Sequence, residues 1–175
     1  TMMAKISFQK NIRLYTTAED VIRQVNLDLC KITANKEYLA AFYGELDLTA
    51  STLTYSNAAL TEILLIQKDG TLQRLIPNSS IIGYVEKLPL QTATISTENT
   101  SKLVLYTDGI TESTNTDGER YGIERLETVV LQNRNKKAEE LKNAIIDDLN
   151  SFSPLESAKD DLTLLVINLD KHSKE

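Results

Sequence analysis

Two apolar runs in this chain carry carboxylates at opposite ends, and that asymmetry constrains its fold more than any other feature. Leu103-Val104-Leu105-Tyr106 stops at Thr107-Asp108-Gly109, with Glu112 four residues beyond Asp108. In Lys159-Asp160-Asp161-Leu162-Thr163-Leu164 the acids come first, and the apolar run to Leu169 follows. Both runs read as strands of a buried sheet. If they are neighbours, the acids gather at one sheet edge, as hard oxygen ligands for a divalent cation would.

The segments around them set the fold class. Met2, Met3, Ile6, Ile12 and Leu14 suit an amphipathic helix running to about Tyr15. Thr16-Thr17 supply an N-cap for a second helix, with Glu19 and Asp20 in its first turn and Val21, Ile22, Val25, Leu29 and Ile32 as its apolar stripe. Strands follow over Tyr38–Leu48 and Leu53–Ala59 with Thr49-Ala50-Ser51 as the turn. Ile63–Ile66 and Leu72–Leu75 flank Lys68-Asp69-Gly70, the clearest hairpin signal in the chain. Gln91–Ser96 alternates as a further strand, and helical periodicity returns over Ile123–Leu131 and Ala138–Leu149. Helices and strands are grouped instead of alternating, which favours α+β layers over a doubly wound parallel sheet. No repeat or Pro/Gly/Ser linker divides the chain, so one domain over 1–170 with a polar tail at 171–175 is expected.

Composition removes several function classes. A net charge of −6 without a strongly basic run disfavours nucleic acid as a partner. No apolar stretch approaches the roughly 20 residues that span a bilayer, so no direct membrane contact is expected and the setting reads as cytoplasmic. Cys30, the single cysteine, reads as a small buried hydrophobe in a reducing compartment. The single histidine, His172, lies in the polar tail, which argues against Ser-His-Asp chemistry and histidine-bound zinc. No glycine-rich loop has phosphate-cradling spacing.

Three Asp-Gly pairs offer an internal comparison. Asp69-Gly70 and Asp117-Gly118 read as turns, whereas composition alone leaves Asp108-Gly109 open between a turn and a site. Together with Asp160-Asp161 it suits Mg²⁺ or Mn²⁺, which take oxygen ligands and keep several waters. Ions of this kind can activate water and clamp a transferring phosphoryl group.

At this point the residues resemble a known family. Tyr106-Thr107-Asp108-Gly109-Ile110-Thr111-Glu112, then Asp117-Gly118-Glu119-Arg120-Tyr121-Gly122-Ile123-Glu124-Arg125-Leu126, is similar to the signature of the bacterial SpoIIE/RsbU branch of metal-dependent (type 2C-like) protein phosphatases. Asp160-Asp161-Leu162-Thr163 resembles that family's closing Asp-Asp-x-Thr, and Ile82-Gly83 its Leu-Gly turn. Leu46-Asp47-Leu48 with Leu53-Thr54-Tyr55-Ser56-Asn57-Ala58 resembles the central hairpin, and Met2–Arg13 the first long helix. The resemblance implies an α-β-β-α sandwich of two antiparallel sheets flanked by helices, with a dinuclear Mn²⁺ or Mg²⁺ site. It implies Asp108 and Asp160 as catalytic metal ligands, with Glu112 and Asp161 as neighbours that orient waters or ligands. The implied activity is hydrolysis of phosphoserine or phosphothreonine on a signalling protein, typically a phosphorylated STAS-type anti-sigma-factor antagonist in a partner-switching circuit.

The sequence departs from the family in two places. The Gly-Asp that supplies a bridging aspartate and the Gly-His-Gly-type motif after it would precede the first helix, within which this sequence begins. The expectation is therefore a fold incomplete at its N-terminus, a fragment of a longer protein that can carry an upstream sensor domain, and weak metal binding from these residues alone. Ala58-Ala59-Leu60 stands where the family usually reads Ala-Gly-His. The alternatives are a catalytically inactive pseudophosphatase that binds a signalling protein, and a homodimer whose strands complete each other's sheets.

Overall fold

The computed structural model describes residues 2–34, 36–87, 89–154 and 160–169. The polar tail at 171–175 with His172, and also Lys159, lie outside the described residues. The described chain separates into two compact units, one of residues 1–60 and 76–98, the other of 61–75 and 99–175. Each has its own core and its own antiparallel sheet.

The first unit opens with α1 (Met2–Leu14) and α2 (Ala18–Thr33). Thr17 caps α2 as expected, its side chain accepting the Asp20 N–H. Strands β1 (Ala41–Asp47), β2 (Thr52–Ala58) and β5 (Ala93–Ser96) pair in the order β1-β2-β5, the first two as the expected hairpin with Ala41 opposite Ala58. Val21, Ile22, Val25 and Leu29 of α2 pack with Ala58 and Ile82 into the core, and Cys30 is buried beside them as expected. Ile32 is exposed and drops out of the expected stripe.

Helix α1 forms where its pattern predicts, but it faces the other way. Ile6 and Leu14 are 59% and 63% exposed, while Ser7 and Asn11 are 3% and 1% exposed. Asp28 of α2 is the reason. Ser7 Oγ, Asn11 Nδ2 and Lys10 Nζ all donate to its Oδ2, at 2.9, 2.9 and 3.2 Å. A carboxylate at a helix–helix contact needs donors, and Ala4 and Phe8 of α1 pack against the same core. Burial alone would raise the Asp28 carboxyl, yet the hydrogen bonds from Asn11, Ser7 and Lys10 hold it below the ordinary aspartate range.

The second unit is built on a four-stranded sheet in the order β4-β3-β6-β7, from β3 (Ile63–Gln67), β4 (Leu72–Leu75), β6 (Thr100–Tyr106) and β7 (Leu164–Asn168). The β3–β4 hairpin turns at Asp69-Gly70, where Gly70 has φ +86°. Alternation along the strands puts Leu64, Ile66, Val104 and Tyr106 on one face, where they pack with Leu126, Val129 and Val130 of α4 (Gly122–Gln132) and Leu141, Ile145 and Leu149 of α5 (Ala138–Phe152). A polar cluster ties the two helices. Arg125 chelates Asp148 at 2.8 and 3.1 Å, Tyr121 Oη donates to Asp148 at 2.8 Å, and the guanidinium lies 4.7 Å from the Phe152 ring centroid.

Candidate active site

β6 and β7 are antiparallel neighbours with Tyr106 opposite Leu164, so the end of one strand lies beside the start of the other. The chain leaves β6 through Thr107 into α3, a single turn over Asp108–Thr111 that the sequence reading did not anticipate. The N–H of Thr107 donates to the Thr163 carbonyl at 3.1 Å, and its hydroxyl accepts the Thr163 N–H at 3.0 Å and donates to the Asp161 carbonyl at 3.1 Å. Thr107 therefore does not cap α3; its hydroxyl is committed to binding the two acid-bearing loops together.

Gly109 completes that junction. A Cβ placed on it would stand 2.7 Å from the Asp161 carbonyl oxygen and 3.2 Å from Leu162 Cδ2. The residue is helical, so glycine is needed here for close approach and not for backbone freedom. Ser113 Oγ donates to the Gly109 carbonyl at 2.7 Å, and Glu112 N–H to the Asp108 carbonyl at 2.7 Å, which fixes the turn from its far side.

Asp108, Asp160 and Asp161 are all exposed on these adjoining loops. Asp160 Oδ1 accepts the Asp161 N–H at 2.8 Å, while the carboxylates of Asp108 and Asp161 have no hydrogen-bond or ion-pair partner among the described residues. Glu112 is turned to Arg120, whose Nη1 lies 3.1 Å from its Oε1. The sequence singled out these acids. It did not single out Thr107 or Gly109 as the residues that join them, because what each touches lies more than 50 residues away in the chain.

The donor chemistry at this edge fits a hard cation: carboxylate oxygens on fixed loops, with no histidine or thiol among them. The number of donors fits only an ion that keeps much of its water. Among the described residues no group of three His, Cys, Asp or Glu side chains stands close enough together to hold a metal. Among them, too, no helix is long and apolar enough to cross a membrane.

The loop after β2 bears on the second departure. Ala59 has φ +58°, the left-handed conformation that glycine adopts without a Cβ clash. Its N–H donates to Ser79 O at 3.1 Å, and Leu60 N–H to Asn57 Oδ1 at 3.0 Å, so the loop is held in that shape by its own hydrogen bonds.

The family model described as Stage II sporulation protein E (SpoIIE) matches residues 1–170. The phosphoserine phosphatase RsbP of Bacillus subtilis is 30% identical over 118 residues, which make up 65% of this chain and 29% of RsbP. This chain spans less than a third of the length of the curated relatives it matches, 29% in one case and 20% in another. Among solved structures, the SiaA PP2C domain of Pseudomonas aeruginosa superposes with a TM-score of 0.81 at 16% identity, covering 97% of this chain and 68% of that one. The Mn-presoaked phosphatase domain of SpoIIE from Bacillus subtilis superposes with a TM-score of 0.65 at 11% identity, covering 100% of this chain and 77% of that one.

Proposed function

We infer that this chain, which belongs to the stage II sporulation protein E (SpoIIE) family, serves a metal-dependent protein phosphatase that hydrolyses phosphoserine or phosphothreonine on a signalling protein. The observation that carries this reading is the junction at Thr107 and Gly109, which brings the Asp108 turn against the backbone of Asp161. In this reading Asp108 and Asp160 hold Mn²⁺ or Mg²⁺, with Asp161 and Glu112 beside them, in a centre that is dinuclear in the whole domain. When bound, such an ion supplies an activated water and neutralises charge on the phosphoryl oxygens. The chain's own contribution is placement. Thr107 fixes the Asp161 carbonyl, Gly109 lets the loops close, and Arg120 pairs with Glu112.

The acids are open to solvent, which suits a phosphorylated side chain presented on a protein surface better than a small molecule enclosed in a cleft. A phosphorylated STAS-type anti-sigma-factor antagonist in the cytoplasm is the partner we propose, with residues 1–170 acting as one phosphatase-family domain. Replacing Asp108 by Asn is the test. Mn²⁺-dependent release of phosphate from a phosphoserine protein by the full-length protein falls by about 10²-fold or more, with the unfolding midpoint unchanged. Undiminished turnover refutes the role of Asp108.

A second reading is favoured by Leu60 in place of the family's histidine and by the small number of acidic donors. In it the domain binds a phosphoprotein without hydrolysing it. Retained binding of that phosphoprotein with no phosphate release, at saturating Mn²⁺, distinguishes the two.

A further inference from the structure

The end of the second sheet away from the acids buries a lysine. Lys102 pairs with Ile66 and Asn168 in register and shares its face of β6 with Val104 and Tyr106, in the row that α4 and α5 cover. It is only 6% exposed, although Val104 and Tyr106 beside it are apolar and aromatic. Its Nζ donates to the Arg134 carbonyl at 2.9 Å, just beyond the end of α4. Arg134 in turn donates from Nη1 to the Leu131 carbonyl at 2.7 Å and lays its Nε against Gly70, 2.8 Å from where a Cβ would stand.

Lys102 and Arg134 share, with Lys68, Gln67, Gly70 and Ser101, the wall of a polar cavity of about 250 Å³. The bonds to Leu131 and Arg134 explain how the two cations reach α4, since basic groups suit the carbonyls at a helix C-terminus. They do not explain why neither cation meets a carboxylate. Among the described residues Lys102 and Arg134 form no ion pair. An ammonium has three donors, of which Lys102 uses one, and a buried charge without a counter-charge is costly. A cavity of this size exceeds the share of a water molecule, about 30 Å³, several times over.

We propose that this cavity binds a tetrahedral oxyanion of the phosphate class, held by Lys102 and Arg134. The site is separate from the acidic edge: Asp108 lies six residues beyond Lys102 along extended chain, roughly 20 Å. It stands on geometry alone, whatever chemistry the acids perform. Free phosphate and a phosphorylated side chain share the recognised group.

The test is a titration of the full chain, with divalent cations chelated so that the acidic edge takes up no phosphate. Amide shifts at Ser101, Lys102 and Arg134 are followed against inorganic phosphate in one arm and phosphoserine in the other, with chloride at matched ionic strength as the reference. Saturable shifts at these residues in either arm support the site, and the arm that saturates more tightly identifies its source. Lys102→Met and Arg134→Gln each weaken that binding at least tenfold, whereas Asp108→Asn leaves it unchanged. Arg134 is exposed, so its substitution reads binding even if Lys102→Met disturbs the fold. Shifts no larger than those from chloride, or binding unaffected by Arg134→Gln, overturn the proposal.

Discussion

Gly109→Ala reverses the usual sign of a glycine substitution, which makes it the sharpest test of how the acid-bearing loops are joined. Gly109 lies in a helical turn without a positive φ, and at such a position alanine ordinarily stabilises by about 0.5–1 kcal/mol. Here the new methyl would meet the Asp161 carbonyl oxygen at 2.7 Å and its carbon at 3.4 Å. Leu162 Cδ2, at 3.2 Å, can rotate away; the carbonyl cannot easily do so, because Thr107 Oγ1 holds it at 3.1 Å. Overpacking of this kind costs about 1–3 kcal/mol, so the net expectation is a loss of about 1–2 kcal/mol. With a urea dependence of about 1–3 kcal/mol per molar, the unfolding midpoint falls by roughly 0.3–2 M. Gly118→Ala is the control: its Cβ would enter open space, and only the φ of +81° opposes it, for about 1 kcal/mol. A Gly109→Ala protein as stable as the parent, or more so, would show that the two loops do not press against each other and would remove the structural basis for grouping Asp108 with Asp160 and Asp161.

Three further outcomes concern the first unit. Asn26 is fully buried, donates to the Val85 and Glu86 carbonyls at 2.9 and 3.2 Å, and accepts the Gly83 N–H at 2.8 Å. Asn26→Ala loses about 3 kcal/mol, and Asn26→Asp at least as much because a carboxylate then faces two carbonyl oxygens; a loss under about 0.5 kcal/mol in urea refutes this anchoring of the 83–87 loop. Asp28 titrates below the ordinary 3.8 when folded, so its contribution is complete above that value and is lost as pH falls through the lower, folded one. Denaturation midpoints at about pH 6 and about pH 3 then differ less in Asp28→Asn than in the parent, and an equal difference contradicts the assignment. Ala59→Gly relieves the left-handed strain at φ +58° and raises stability by about 0.5–1 kcal/mol after the extra chain entropy of glycine is subtracted, as calorimetry can check.

Much of the site could be read in advance because its acids are punctuated locally. A buried strand that ends in Asp-Gly, and another that begins with Asp-Asp, mark positions where the chain leaves a core, and the pairing of β6 with β7 joins their apolar stretches Leu103–Tyr106 and Leu164–Ile167. Thr107 could not be read in this way. A threonine before a helical turn looks like an N-cap, and nothing within several residues of it indicates that its hydroxyl is committed to Asp161 and Thr163. Lys102 was equally hidden, since a lysine in a strand ordinarily points to solvent.

The sequence by itself determined what depends on neighbours along the backbone: the helical periods, the Thr17 cap, the turn at Gly70, and the family whose motifs the chain carries in order. Tertiary structure decided which face of each element is buried and which loops meet. α1 is the clearest case, because Met2, Ile6 and Ile12 stay exposed while Ser7 and Asn11 are buried against Asp28 of another helix. A side chain's period is fixed by bonds within its own element, but its partner is fixed by whichever unsatisfied charge or carbonyl the fold brings against it.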